Sequence, residues 1–208
     1  MRERIRETTI DAILAAAEEV FADAGLHGAR MDTIAAKAGV SVGTLYNHFE
    51  DREALVAGLL TARRRELVGQ IDAALQTGAH APLRTRLRAI LDTFSAHCEA
   101  HRKFVNIALQ HELGSHHRSF AQARAKKLDT MREIQSRIEE QMKRGVKEGA
   151  LRPELGELAG TFFLGMLRAL ILRDLTLEAG AGTMAADVER LLDTFFAGAG
   201  TGAARRSP

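Results

Sequence analysis

Residues 34–49, IAAKAGVSVGTLYNHF, are the stretch that decides the fold. The first half has apolar residues at helical spacing and ends at Gly39, where a helix would stop. Ser41 is a favourable N-cap for a second helix, which carries Leu45 and Phe49 one turn apart. Two short helices joined by a tight turn form a helix-turn-helix, whose second helix enters the major groove of DNA.

The second helix of this unit has the surface that a recognition helix needs. Gly43 lets the backbone approach DNA closely. Thr44 and Asn47 can donate and accept hydrogen bonds at base edges, and Asn pairs most naturally with adenine. Tyr46 and His48 offer an O–H and an N–H to phosphate oxygens.

Apolar residues recur with helical periodicity along most of the 208-residue chain, and we find no strand pattern. The predicted helices cover residues 8–24, 32–38, 42–48, about 52–75, from 82 onward, 103–113, 119–147, 158–178 and 184–197. The sequence therefore predicts an all-α protein of about nine helices. We expect a helix-turn-helix DNA-binding head over 1–55, a ligand-binding and dimerisation domain over 56–198, and a flexible tail over 199–208.

Composition excludes several classes of protein. Cys98 is the only cysteine, which excludes an internal disulfide and a cysteine-based zinc finger. The first ten residues contain no apolar run, so we expect no signal peptide. The longest apolar run, 162–172, has 11 residues and includes Arg168, which is too short for a bilayer. We expect a cytoplasmic protein with no membrane contact and no cofactor.

Residues from about 8 to 56 resemble the TetR family of bacterial transcriptional regulators. The resemblance rests on a Thr-Ile pair near the start, on Phe-Ala-Asp-Ala-Gly over 21–25, on the whole of 34–49 and on Arg-Glu-Ala-Leu over 52–55. It covers about a quarter of the chain. It implies a homodimer that binds a near-palindromic operator in double-stranded DNA and is released by a small ligand in the C-terminal domain.

The resemblance also implies which residues contact DNA. It assigns base contacts to Val42, Gly43, Thr44 and Asn47, and backbone contacts to Tyr46, His48 and Arg52. At the start of the second helix the chain departs from the family, because Arg30 and Met31 stand where a Thr or Ser often caps the helix. We expect Arg30 to reach phosphate there, and Asp32 to face the groove, where a carboxylate suits the N4 donor of cytosine.

The head is acidic, although DNA affinity depends on cations at phosphates. Residues 1–55 hold six Lys/Arg and ten Asp/Glu, a net charge of −4, whereas 56–208 carry +6. We expect the basic N-terminal arm, residues 1–6, to contribute to DNA binding together with Lys37. The predicted DNA-binding residues are Arg30, Asp32, Lys37, Ser41, Val42, Gly43, Thr44, Tyr46, Asn47, His48 and Arg52.

The last two predicted helices are expected to form the dimer interface, as a four-helix bundle with those of a second copy. Small residues such as Gly165 and Ala169 would let the helices approach closely. The alternative is a self-contained core. The predicted interface residues are Leu158, Gly165, Arg168, Ala169, Leu172, Val188, Leu191, Leu192 and Phe195.

A ligand pocket is expected among the helices between Leu83 and Leu172, although the same residues could instead form the core. The candidates are Phe94, His97, Cys98, Phe104, Ala108, His111, Met131, Ile138, Phe162, Phe163 and Met166. Their character suggests a mostly apolar ligand with one or two polar points. Residues 84–152 carry a net charge of +7. This charge could form a solvated basic face, or it could bind an anionic ligand such as a fatty acid or acyl thioester.

The sequence is also compatible with a metal-responsive regulator, an activator, or a regulator without a small ligand. His97 and His101 lie four residues apart and could bind a metal with a third ligand, although they do not form the HExxH pattern. A regulator of this kind could also activate transcription, or act without a small ligand. An enzyme is disfavoured, because the crowded group of Ser95, His97 and Cys98 has no acid–base partner at a defined spacing.

Overall fold

The structure is a computed structural model of the 208-residue chain. It describes residues 1–102, 105, 121–155, 158–176 and 183–201, of which 2, 3, 121–131, 175, 176 and 183 are described by backbone alone. The predicted helix over 103–113 and most of the predicted tail lie outside the described residues.

Eight α-helices and no strand are present among the described residues, which confirms the predicted all-α class. The helices are α1 (Arg2–Gly28), α2 (Met31–Lys37), α3 (Val42–His48), α4 (Arg52–Thr77), α5 (Leu83–Ala100), α6 (Ala121–Lys147), α7 (Leu158–Thr176) and α8 (Thr183–Ala199). A short 3-10 helix, Pro153–Leu155, precedes α7, and an isolated antiparallel bridge pairs Leu151 with Gly200.

Helix α1 differs from the prediction at both ends. It begins at Arg2 rather than near residue 8, so the predicted N-terminal arm is helical. The Arg and Glu residues of this segment are good helix formers, which explains the extension. Gly25 has a φ of 71° and kinks the helix instead of ending it, and helical residues continue to Gly28.

The described residues form two compact units. The first unit contains Met1–Arg64 with the described residues of His101–Leu128, and the second contains Arg65–Ala100 with those of Asp129–Pro208. Helix α4 therefore contributes its first half to one unit and its second half to the other.

The core of the first unit joins α1, α2, α3 and the start of α4. Phe21, Ile34, Leu45 and Leu55, one from each helix, are completely buried in it. All four are on the apolar faces that helical spacing indicates, so each short helix is fixed by side chains that leave water.

The core of the second unit joins α5, α6, α7 and α8 with the end of α4. Leu87, Ile138, Phe163 and Leu192 are completely buried there. The ring of Phe195 meets that of Phe163 edge to face, with centroids 5.3 Å apart. These contacts pack the two C-terminal helices against each other within one chain.

Arg86 is a buried residue that the apolar periodicity of α5 does not reveal. Its side chain is 2% exposed; Nε donates to Gln141 Oε1 at 2.8 Å and Nη2 to Glu148 Oε2 at 2.8 Å. The hydrogen bond from Arg86 is the largest cause of the lowered pKa of Glu148. This network ties α5 to α6 and gives the buried guanidinium the partners that it needs.

The first unit also contains a close contact that only glycine permits. A Cβ on Gly58 of α4 would lie 2.6 Å from Cε1 of the buried Phe49 ring. We expect Gly58→Ala to lower the free energy of unfolding by about 1–3 kcal/mol, because the ring must shift in a packed core. Urea unfolding followed by circular dichroism measures the change.

Gly69→Ala is the matched control for this test. It makes the same change in the same helix at an exposed position, where a Cβ would meet nothing within 4 Å. It should raise stability by about 0.5–1 kcal/mol, since alanine favours the helix. Equal effects of the two substitutions would contradict the contact.

Candidate nucleic-acid interface

The turn between α2 and α3 has the geometry of a helix-turn-helix. Gly39 has a φ of 70°, a conformation that L side chains adopt rarely. The amide of Val40 donates to the carbonyl of Ala35 at 3.0 Å, and the Val40 side chain packs against the first core. These contacts bring α3 across α2 at the position that the sequence predicts.

Helix α3 begins at the predicted cap. The hydroxyl oxygen of Ser41 accepts the amide of Thr44 at 3.0 Å, which satisfies a donor of the first turn. The Thr44 hydroxyl lies 2.7 Å from that of Ser41, a bond that the sequence does not reveal. Ser41 and Thr44 therefore act together at the start of α3.

One face of α3 is anchored and the other is open. Leu45 is buried, whereas Val42 is 41% exposed and Tyr46 48% exposed. Gly43 and Asn47 are exposed beside them, and Thr44 and His48 are half-buried. The structure thus places four of the predicted contact residues on one exposed surface.

Three predicted DNA-contacting cations have partners inside the protein. Arg30 forms an ion pair with Asp32 at 2.7 Å, and Lys37 forms one with Glu19 of α1 at 2.5 Å. The hydrogen bond that Lys37 donates to Glu19 raises the pKa of Lys37. Arg52 donates from Nη1 to the carbonyl of His27 at 3.2 Å.

Asp32, which is predicted to face a cytosine, is hydrogen-bonded within the chain in the free protein. Asp32 Oδ1 accepts from Arg30 Nε at 3.1 Å and from the Thr33 amide at 2.7 Å. The hydrogen bond from Arg30, followed by that from the Thr33 backbone, lowers the pKa of Asp32 to about 2. The carboxylate thus has two partners within its own segment, Arg30 and Thr33.

Other carboxylates of the acidic head are paired within the first unit. Glu18 of α1 accepts from Arg63 Nε at 2.7 Å and lies 2.6 Å from Nδ1 of His101. Arg63, which lies outside residues 1–55, thus neutralises one of the carboxylates of that range. In the second unit, Nδ1 of buried His97 lies 3.3 Å from Gln70 Oε1. The two histidines of the predicted metal pair thus each have a protein partner.

Helix α7 has two apolar faces. Ala159, Phe163, Leu167 and Leu170 are buried in the second core. The opposite, exposed face, which we call the α7 seam, contains Leu158, Phe162, Gly165, Ala169 and Leu172. Arg168 is exposed beside it.

The predicted dimer interface needs a correction. Val188, Leu191, Leu192 and Phe195 of α8 are all less than 9% exposed, because they form the core of their own chain. A buried side chain has no surface to offer to a partner. The predicted interface residues that stay accessible are those of α7.

The predicted ligand pocket is not assembled as expected. Phe94, Ile138 and Phe163 are core residues, and Met166 packs against the same core. Phe162, at 52% exposed, belongs to the α7 seam instead. Phe104, Ala108, His111 and the side chain of Met131 lie outside the described residues.

A cavity of about 290 Å³ is present in the second unit. Cys98, one of the predicted pocket residues, is among the residues that line it. Its lining comes from α5, α7 and α8: Asp92, Ser95, Ala96, Cys98, Glu99, Asp174, Met184 and Ala185. On α5, the polar lining residues Asp92, Ser95 and Glu99 are spaced at helical intervals. That polar stripe is the signal that could have indicated the cavity.

Across the described helices, none is long and apolar enough to span a membrane.

Comparisons with known proteins agree with the helix-turn-helix. Residues 13–59 match the sequence model of the bacterial regulatory proteins of the tetR family. The HTH-type transcriptional activator FasR of Mycolicibacterium smegmatis is 43% identical over 82 residues, which are 39% of this chain and 36% of FasR. The match thus spans about a third of the length of FasR.

Two further proteins are similar over much more of the chain. FadR from Bacillus subtilis, solved in complex with stearoyl-CoA, has the same fold: the TM-score is 0.75 at 19% identity, over 90% of this chain and 97% of FadR. YhgD of Bacillus subtilis, an uncharacterized HTH-type transcriptional regulator, is 30% identical over 161 residues, which are 76% of this chain and 80% of YhgD. Because that relative aligns well beyond the head, the chain belongs to the TetR family of bacterial regulators, which bind DNA to control transcription and are not enzymes.

Proposed function

We propose that the chain represses transcription as a homodimer that binds a near-palindromic operator with α3 of each copy in the major groove. The observation that carries this proposal is the exposed face of α3. Although residues 1–55 hold ten carboxylates, none of them is on α3. This helix can approach the negative charge of DNA without repulsion from its own side chains.

The chemistry of α3 suits direct readout of bases. The Asn47 amide can pair with adenine, and the Val42 methyl groups can contact the methyl group of thymine. Tyr46 and His48 can donate to phosphates on either side and set the register of the helix. Gly43, between them, removes the side chain that would hold the backbone away from the bases.

Gly43→Ala separates DNA binding from folding. In the free protein, a Cβ on Gly43 would come no closer than 3.8 Å to another atom, the Ser41 Oγ. Stability should therefore stay equal or rise, by up to about 1 kcal/mol. Operator affinity should fall at least about tenfold, because the added methyl group occupies the space that DNA needs.

Fluorescence anisotropy measures the affinity, with a labelled duplex that the wild-type protein selects from a random-sequence pool. Gly69→Ala serves as the control, because it makes the same change at an exposed helical position outside the helix-turn-helix. Wild-type affinity for the Gly43→Ala protein would contradict the placement of α3 against DNA.

The α7 seam supports the proposed dimer. Its residues follow one another at intervals of four, three, four and three, the spacing of a helix that packs along another helix. Gly165 and Ala169 are small enough to let two such helices approach closely. Two copies of the head are needed for the two halves of a palindromic site, and a twofold pair of α7 helices would supply them.

Phe162→Arg tests the dimer, because it places a charge in the middle of the α7 seam. Light scattering after size-exclusion chromatography should give twice the 22.7 kDa chain mass for the wild-type protein and the single mass for the variant. Gln76→Arg, an exposed position near the end of α4, is the charge-matched control and should stay dimeric. A dimeric Phe162→Arg protein would contradict the proposed interface.

We further propose that a small, mostly apolar effector binds in the second unit and releases the operator. The 290 Å³ cavity is lined by apolar Ala96 and Met184, and also by the hydroxyl of Ser95 and three acidic residues, Asp92, Glu99 and Asp174. Such a lining suits a ligand with an apolar body and a few hydrogen-bonding groups. A fatty acyl compound is the first class to test, because structurally similar FadR was solved with stearoyl-CoA.

The proposed function places the protein in the bacterial cytoplasm. Since FasR is named an activator, reporter expression with and without the protein decides the sign of regulation.

A further inference from the structure

Arg30 and Asp32, at the start of α2, form a bidentate pair on the surface of the first unit. Arg30 Nε donates to Asp32 Oδ1 at 3.1 Å, and Nη2 donates to Oδ2 at 2.7 Å. The side chains are 76% and 51% exposed, so neither is held by packing in the core. The pair itself determines where the guanidinium points.

Asp32 is fixed from its other side as well. Its Oδ1 also accepts from the amide of Thr33 at 2.7 Å and from the Thr33 hydroxyl at 3.3 Å. The hydrogen bonds from Arg30 and from the Thr33 backbone lower the pKa of Asp32 to about 2, so the carboxylate is charged at neutral pH. It therefore forms a rigid acceptor for Arg30, anchored to the backbone.

The pairing uses one edge of the Arg30 guanidinium and leaves another for a ligand. A guanidinium has five N–H donors in a planar fork. Nε and one N–H of Nη2 face Asp32. The second N–H of Nη2 and one N–H of Nη1 then lie side by side on the outer edge. That edge matches two adjacent acceptors on DNA, either phosphate oxygens or O6 and N7 of guanine.

We propose that Asp32 is a positioning residue for DNA recognition, which holds the Arg30 guanidinium so that its outer edge binds two acceptors on the operator. In this arrangement Asp32 does not contact DNA. A preformed arginine loses less side-chain entropy on binding than a mobile one, and this gain must exceed the repulsion between the carboxylate and the DNA. The inference rests on the proposed operator binding by the head.

The change in DNA affinity on removal of the Asp32 carboxylate distinguishes a positioning role from simple charge repulsion. If Asp32 only repelled phosphate, removal of its charge would strengthen DNA binding. If Asp32 positions Arg30, removal of the carboxylate weakens binding. Arg30→Ala should leave the melting temperature nearly unchanged, because the Arg30 side chain is 76% exposed. Asp32→Ala also removes the acceptor of the Thr33 amide in the first turn of α2, so its melting temperature is measured beside that of the wild-type protein.

The experiment is a double-mutant cycle on the duplex selected by the wild-type protein, measured by anisotropy at two salt concentrations. We expect Arg30→Ala to weaken binding roughly fivefold or more, and Asp32→Ala to weaken it by a smaller factor. The double variant should bind no more weakly than Arg30→Ala, because Asp32 acts only through Arg30. Glu50→Ala, which removes an exposed carboxylate from the same head, should bind as well as the wild-type protein or more tightly.

Tighter or unchanged binding by Asp32→Ala, or additive effects in the cycle, would overturn the positioning role. A repeated selection with Arg30→Ala then distinguishes the two kinds of acceptor. A phosphate contact leaves the selected sequence unchanged and lowers the salt slope by about one, whereas a guanine contact relaxes the preference at one position. The wild-type titration tests operator binding separately, so failure of the proposed function and failure of this inference give different results.

Discussion

A seven-residue helix has no stability of its own in water, so α3 depends on the side chains that anchor it. Leu45 and Phe49 enter the first core from one face of α3, and Gly58 of α4 leaves the room that the Phe49 ring occupies. Ser41 satisfies the first turn, and Gly39 permits the turn before it. Because these contacts all lie on one side, the opposite face is left open for DNA. The exposed face of α3, which we propose reads DNA, is thus a consequence of how the core is packed.

The charges of the head follow a second constraint. An acidic protein surface repels DNA, yet several carboxylates here are paired with cations of the first unit. Glu18 pairs with Arg63, Glu19 with Lys37, and Asp32 with Arg30. The pairs that involve exposed side chains contribute little to stability, but they fix where each charge lies. What remains for DNA is a helix without carboxylates and a set of cations in defined positions.

Local patterns were enough to predict the head, because turn chemistry and short-range spacing decide it. Gly39, Ser41 and Leu45 have the roles that the sequence indicates. The second unit was harder to predict. Helix α7 is apolar on almost every side, so its periodicity does not show which face is buried. Phe163 is buried in the structure, whereas the neighbouring Phe162 is exposed. Only the positions of the neighbouring helices decide it.

The same limit applies to two other features of the second unit. The apolar residues of α8, such as Leu192, were expected at a dimer interface but pack within their own chain, since either arrangement would remove them from water. Arg86 was missed because arginine is usually exposed, and its burial depends on Gln141 and Glu148, which are distant in sequence. Long-range partners of this kind leave no local pattern.

The central claim is that two copies of α3 read the major groove of one operator. Guanine methylation interference on the selected duplex tests it directly, because the N7 atom that is methylated lies in the major groove. Two symmetric clusters of interfering guanines are expected, about one helical turn or a small multiple of it apart. A single cluster, or binding that is insensitive to methylation in the major groove, would contradict it.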